Sequence, residues 1–252
     1  MQNRKLQSYI LCTAPRSGST LLCKLLKATG IAGCPESHFH VPSFEGWLST
    51  HDLDASDFPT KEAAISAVIE AARKAGRGRS NVFGLRMQRA SFDYFMAQLE
   101  QLAPDRTSDV ERIEAVFGPT LFIHLKRPDK LDQAISLVRA KQSGLWHRWS
   151  DGSDLERLSP AQEPGFNASE ISRTISELTA YDTDWEQWFK QQNLSPVRID
   201  YDALSDNPQN ALATCLAALG LDPSGARTVA APTARLADGQ NARWREMYKA
   251  LK

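Results

Sequence analysis

The segment Thr13-Ala-Pro-Arg-Ser-Gly-Ser-Thr20 carries the residue types that grip an anion. Arg16 brings a permanent planar fork of N–H donors, and Ser17, Ser19 and Thr20 bring hydroxyls. Gly18 lets the backbone approach a ligand closely, so Pro15 to Thr20 reads as the binding stretch. The apolar run Tyr9-Ile-Leu-Cys12 leads in, and Leu21, Leu22, Leu25 and Leu26 lead out at helical spacing. The loop therefore sits between a buried strand and a helix start. There the first backbone N–H groups lack intrahelical partners and the helix dipole is positive, which suits phosphate or sulfate. It is not a Walker A loop. That motif needs a lysine after its last glycine, whereas Ser19 follows Gly18 here and the cation lies before the glycine.

A second basic site follows a second apolar run. Thr120-Leu-Phe-Ile-His-Leu125 reads as a buried strand with the exit Lys126-Arg-Pro-Asp129. Arg127 at the strand end and Ser136 on the next helix could jointly hold a second phosphate. His124, inside the apolar strand, reads as a core histidine.

The remaining pattern supplies the elements that must position these groups. Helices are predicted over Lys61–Lys74, Phe92–Leu102, Asp109–Val116, Lys130–Lys141, Ser169–Gln191 and Asn241–Leu251, with another starting at Asn207-Pro208 and ending at Gly220. Strands are predicted over Asn81–Met87 and Val197–Tyr201, and residues 150–167 read as a surface loop. Trp185, Trp188 and Phe189 at helical spacing read as core or a subunit contact. Strands alternating with helices argue for one doubly wound α/β domain, residues 1–252, with a central parallel sheet flanked by helices. Ligands bind such sheets beyond the C-terminal strand ends, where both anion sites fall.

Bulk composition excludes other classes. Lys+Arg and Asp+Glu both number 30 in 252 residues, so no basic excess points to nucleic acid or a membrane surface. No apolar stretch approaches the roughly 20 residues that span a bilayer. Met1–Ser8 is polar, without the apolar region of a signal peptide, so a cytoplasmic protein is expected. Cys12, Cys23, Cys34 and Cys215 form no C-x-x-C pair and read as reduced thiols; no metal site is expected.

With these motifs in view, the chain resembles the bacterial trehalose 2-sulfotransferase-like family, which uses 3′-phosphoadenosine 5′-phosphosulfate (PAPS). Leu11–Cys23 is similar to the family's 5′-phosphosulfate loop, and Arg127 with Ser136 to its 3′-phosphate element. Further matches are Pro35-Glu36, Phe39-His40, Val82–Arg86, Gln133–Leu137, Gly144-Leu-Trp146, Tyr201–Leu204 and Leu236-Ala-Asp238. Arg235 to Trp244 loosely resembles a basic loop that folds over the nucleotide.

The resemblance implies a P-loop-NTPase-like sulfotransferase fold and transfer of a sulfuryl group from PAPS to a carbohydrate hydroxyl without a metal. Adenosine 3′,5′-bisphosphate would be the product, the carbohydrate trehalose or a related glycan, and a homodimer would be compatible. Arg16 would stabilise the leaving phosphate, as charge builds there in a loose transition state. Glu36 would take the acceptor's proton, with His38 and His40 as rivals. His40, Arg86, Trp47 and Trp146 would line the sugar site. A P-loop-type kinase or NTPase and a non-catalytic nucleotide-binding module stay open as alternatives.

Overall fold

The computed structural model describes residues 5–149, 151, 153–230 and 239–251. The chain runs β1 (Ser8–Thr13), α1 (Ser19–Ala28), α2 (Phe44–Thr50), α3 (Lys61–Arg77), β2 (Phe83–Gln88), α4 (Arg89–Leu102), α5 (Asp109–Phe117) and β3 (Thr120–Lys126). It continues through α6 (Lys130–Ser143), β4 (Leu145–Arg148), β5 (Asp154–Arg157), α7 (Ala168–Gln191), β6 (Val197–Asp200), α8 (Tyr201–Asp206), α9 (Pro208–Ala218) and α10 (Gly239–Lys249).

The sheet is parallel, in the order β2-β1-β3-β6, with helices on both faces. All six residues of β1 are buried, because its alternate side chains enter two different cores. Ile10 and Cys12 join Phe83, Leu85, Met87 and the aromatic residues of α4 and α7 on one face. Tyr9 and Leu11 join Leu22, Leu25, Leu26, Ile123 and Leu125 on the other. A strand covered on both sides reads as a continuous apolar run, which is why β1 and β3 stand out in the sequence.

The chain leaves β1 toward β2 on one side and later returns to place β3 on the other. The order therefore reverses at β1, and the crevice for a ligand opens beyond the C-terminal ends of β1 and β3. Register makes this exact to the residue: Thr13 pairs with Leu125, so the loop carrying Arg16 and the exit carrying Arg127 leave the sheet side by side.

Most boundaries follow the sequence pattern, with three differences. Residues 150–167 are not all loop, since β5 pairs antiparallel with β4. Two short helices, α2 and α8, escape the pattern because seven and six residues are too few for an apolar repeat. Tyr201 opens α8 instead of closing the strand. Of the loop Leu236–Gly239, residues 236–238 lie outside the described residues.

Gly84 sets the approach of the segment that carries Glu36. A side-chain carbon there would lie 2.5 Å from the Tyr9 hydroxyl and 3.0 Å from Cβ of Pro35. The Tyr9 hydroxyl uses this space to donate to the Ala32 carbonyl at 2.9 Å. Gly84→Ala is expected to destabilise the fold by about 1–3 kcal/mol through overpacking, read as a lowered midpoint in urea unfolding.

Candidate functional site

The loop after β1 is held by its carbonyls. The indole of Trp185 donates to the Thr13 carbonyl at 3.0 Å, Ser17 Oγ to Ala14 at 2.9 Å, and the buried Gln133 amide to Pro15 at 2.7 Å. Gln133 is itself fixed by Lys130, which pairs with Asp182 at 2.6 Å. With three successive carbonyls turned into the protein, the loop offers its N–H side to the crevice.

The start of α1 is left open in the same way. Gly18 occupies the N-cap position with φ 89°, no side chain caps the first turn, and no acidic residue stands in it. Serine, threonine, aspartate or asparagine caps α2, α3, α5, α6, α7 and α9. An uncapped N-terminus carries unpaired donors and partial positive charge. Gly18 is required here on two counts. Its φ is left-handed, and a side-chain carbon would lie 2.8 Å from the Tyr201 ring.

Two guanidinium groups flank this opening. Arg16 has a left-handed φ of 61°, rare for a residue with a side chain, and donates from Nε to Ser136 Oγ at 3.0 Å and from a terminal nitrogen to the Trp146 carbonyl. Burial, and next the charge of Arg127, push Arg16 down to about 10, so it remains a cation at neutral pH. Arg127 is 8% exposed, lies over the Tyr201 ring at 4.3 Å, and leaves Nε without a partner. Asp132 stands 3.7 Å from Arg127, but Arg245 engages Asp132 at 2.6 Å and Asp129 at 2.7 Å. Two crowded cations beside open N–H donors form a site for a multiply charged anion.

Pro15, Arg16, Gly18, Ser19 and Thr20 line a cavity of about 140 Å³. His40, Arg86 and Trp146 complete the predicted part of its wall. Arg86 donates to Ser37 at 2.7 Å and to Thr20 Oγ1 at 2.9 Å. An adjoining, outer cavity of about 260 Å³ holds Glu36, Lys24 and Cys23, and shares Thr20, Arg86 and Glu156 with the first, inner one. Glu36 is half-exposed, stands 3.9 Å from Lys27, and is tied to β2 by its carbonyl, which accepts from the Arg86 N–H at 3.0 Å.

Three expectations need correction. Trp47 does not line the sugar cavity: it is 1% exposed, packed against Phe39 and Tyr94, and its indole donates to Val41. Ser17 is fully buried and its hydroxyl is used inside the loop, so that hydroxyl is not offered to a ligand. Ser136 accepts from Arg16, and Arg127 stacks on Tyr201, so each of the two expected phosphate ligands is held by a separate contact. His38 lies inside, stacked on Phe83 and His51, and borders neither cavity. His124 is buried as expected, with Nδ1 3.3 Å from Glu186. Arg243 is exposed and Trp244 buried, while Arg235–Asp238 lies outside the described residues.

Sequence reasoning missed His147 and Glu156, which face each other across the β4–β5 hairpin and both line the inner cavity. Nothing in a segment rich in Gly, Ser, Asp and Pro signals a hairpin. His147 Nε2 lies 2.9 Å from Thr20 Oγ1. Arg86 donates to the same hydroxyl, so Thr20 ties the hairpin histidine to the arginine of β2. Burial, then the charges of Arg16, Arg86 and Lys24, push His147 down to about 3.

Residues 8–251 match the family described as Stf0 sulphotransferase. The chain belongs to that family. A trehalose 2-sulfotransferase of Mycobacterium tuberculosis (strain Erdman) is 31% identical, with 98% of this chain and 96% of the relative covered. A trehalose 2-sulfotransferase of Mycolicibacterium smegmatis is 29% identical over 96% of this chain and 94% of its own. Among solved structures, the sulfotransferase domain from the Synechococcus PCC 7002 olefin synthase matches with a TM-score of 0.39 and 14% identity, covering 99% of this chain and 97% of that one. Among the described residues of this sulfotransferase-family chain, no helix is long and apolar enough to cross a membrane.

The depressed His147 has a thermodynamic signature. In the unfolded chain the ring charges below its ordinary value of 6.5, whereas in the folded protein it stays neutral down to about 3. Protons therefore bind the unfolded state preferentially in this window, and stability falls as pH drops through it. His147→Gln is expected to make that decline shallower, as read by urea unfolding at a series of pH values.

Proposed function

We propose that this chain transfers a sulfuryl group from PAPS to a hydroxyl of a sugar, with trehalose the first acceptor to test. The observation that carries the reading is the pairing of Arg16 and Arg127 beside the open end of α1, a cationic site larger than one phosphate needs. That both relatives are trehalose 2-sulfotransferases supports the acceptor class.

The residues divide the work. The N–H groups of Ser17 to Thr20 hold the 5′-phosphate, and Arg16 neutralises the charge that develops on its leaving oxygen. Arg127, half-shielded by Tyr201, reads the 3′-phosphate. The bond between sulfur and the phosphate oxygen breaks as the sugar oxygen bonds to sulfur, leaving adenosine 3′,5′-bisphosphate. Glu36 takes the hydroxyl proton from the outer cavity, beside the Arg86 and Thr20 that both cavities share. His40, Arg86 and Trp146 face the sugar from the inner cavity.

A thermal shift with adenosine 3′,5′-bisphosphate, and none with ATP and Mg²⁺, is expected, because only a ligand of the native state stabilises it. The reverse response would sink the reading in favour of an NTPase. With donor saturating, Arg16→Ala is expected to lose about 10²–10³-fold in kcat, as when an oxyanion donor is removed. Glu36→Gln is expected to lose on the order of 10²-fold or more in kcat, the contribution of a positioned base. Near-normal turnover of Glu36→Gln across pH would move the base elsewhere.

A further inference from the structure

The inner cavity is rich in donors, including Arg16, Arg86 and the hydroxyls of Ser19 and Thr20. Such a lining welcomes an anion, but it does not by itself recognise a sugar, whose hydroxyls must also give their protons to acceptors. His147 has its Nε2 at the Thr20 hydroxyl. Two side-chain acceptors stand out in that wall: the buried, unpartnered amide oxygen of Gln88, and Glu156, the one carboxylate among its described residues.

Glu156 is free to accept and is held in place. Its side chain is 43% exposed, and its only ion-pair neighbour among the described residues is His147 at 3.6 Å. No arginine or lysine there engages it, so both oxygens keep their lone pairs. Its charge nonetheless reaches Arg16 and His40, raising the affinity of each for its proton.

The hairpin around it is anchored to the anion loop by two bonds, Arg16 to the Trp146 carbonyl and Thr20 to His147. At its base Leu158 N–H donates to Gly144 at 2.8 Å and Arg157 to Ser143 at 3.0 Å. Glu156 thus has a fixed distance from the centre where the sulfuryl group would leave. It also lines the outer cavity together with Glu36, so one small sugar can reach both carboxylates.

We propose that Glu156, at the junction of the two cavities, accepts hydrogen bonds from acceptor hydroxyls adjacent to the one that is sulfated, and so sets acceptor specificity. This rests on the reading of the chain as a sugar sulfotransferase. The division of labour is that Glu36 receives a proton, whereas Glu156 binds hydroxyls that keep theirs. A carboxylate can take two neighbouring hydroxyls of a pyranose at once, which selects for their relative orientation.

The test uses the full chain with PAPS, trehalose and monodeoxy trehalose analogues. Glu156→Gln is expected to raise the acceptor KM by about tenfold or more, the worth of hydrogen bonds to a charged group, with a much smaller change in kcat. The Kd of adenosine 3′,5′-bisphosphate, by titration calorimetry, should not move. The deoxy analogue lacking the bound hydroxyl should be penalised in the wild type and not further in Glu156→Gln, a coupling that a merely structural role would not produce. Unchanged acceptor KM in both Glu156→Gln and Glu156→Asp, with wild-type turnover intact, overturns the role of Glu156 alone. A change in bisphosphate Kd as large as that in KM also overturns it, because the residue would then be holding the hairpin. A wild type that binds the bisphosphate yet sulfates no sugar overturns the acceptor reading and this inference together.

Discussion

Two positive charges kept close together beside an open helix end are the constraint on which this molecule's architecture depends. Burial raises the cost of charging Arg16, and the nearby charge of Arg127 adds to it. A fold can sustain such a pair only by fixing both side chains through contacts that do not cancel their charge. Arg16 is fixed by a hydroxyl and a main-chain carbonyl, and Arg127 by the face of an aromatic ring. These neutral partners hold position while leaving the field in place, and the acid that reaches Arg127, Asp132, stands off at 3.7 Å. The nearby acids, Asp129 and Asp132, are drawn off by Arg245 from α10. The last described helix therefore contributes to the electrostatics of a loop near the start of the chain.

The sheet supplies the second half of this arrangement. Parallel pairing of β1 with β3 brings the two exits together, and burial of β1 on both faces prevents a slip in register. The same tryptophan-rich helix, α7, that fills one core also reaches the loop through Trp185. Core packing and loop geometry are thus linked at one side chain. A change in how α7 seats would be transmitted to the Thr13 carbonyl.

Much of this was legible in the sequence, for physical reasons. Doubly buried strands leave apolar runs, and a loop of small polar residues between such a strand and an amphipathic helix has few structural solutions. The positions of Arg16, Gly18 and Thr20 in one cavity follow from that. Directions of side chains were not legible. Ser17 and Ser19 are chemically alike, and only the turn of the backbone decides that Ser17 points inward. Trp47 is an aromatic that could stack on a sugar, but α2 was too short to be seen, and with it the inward face that buries the ring. His147 and Glu156 depend on a four-residue strand pair whose composition resembles a loop. Non-local pairings of short strands leave little trace in a local pattern.

Arg16 meets the hairpin at the backbone oxygen of Trp146, not at a side chain. Every amino acid carries that oxygen. The hairpin can therefore exchange residues over evolutionary time without loosening its hold on the arginine, as long as its length and pairing persist. One portion of the molecule is in this way free to change its side chains while the arginine beside it keeps its place.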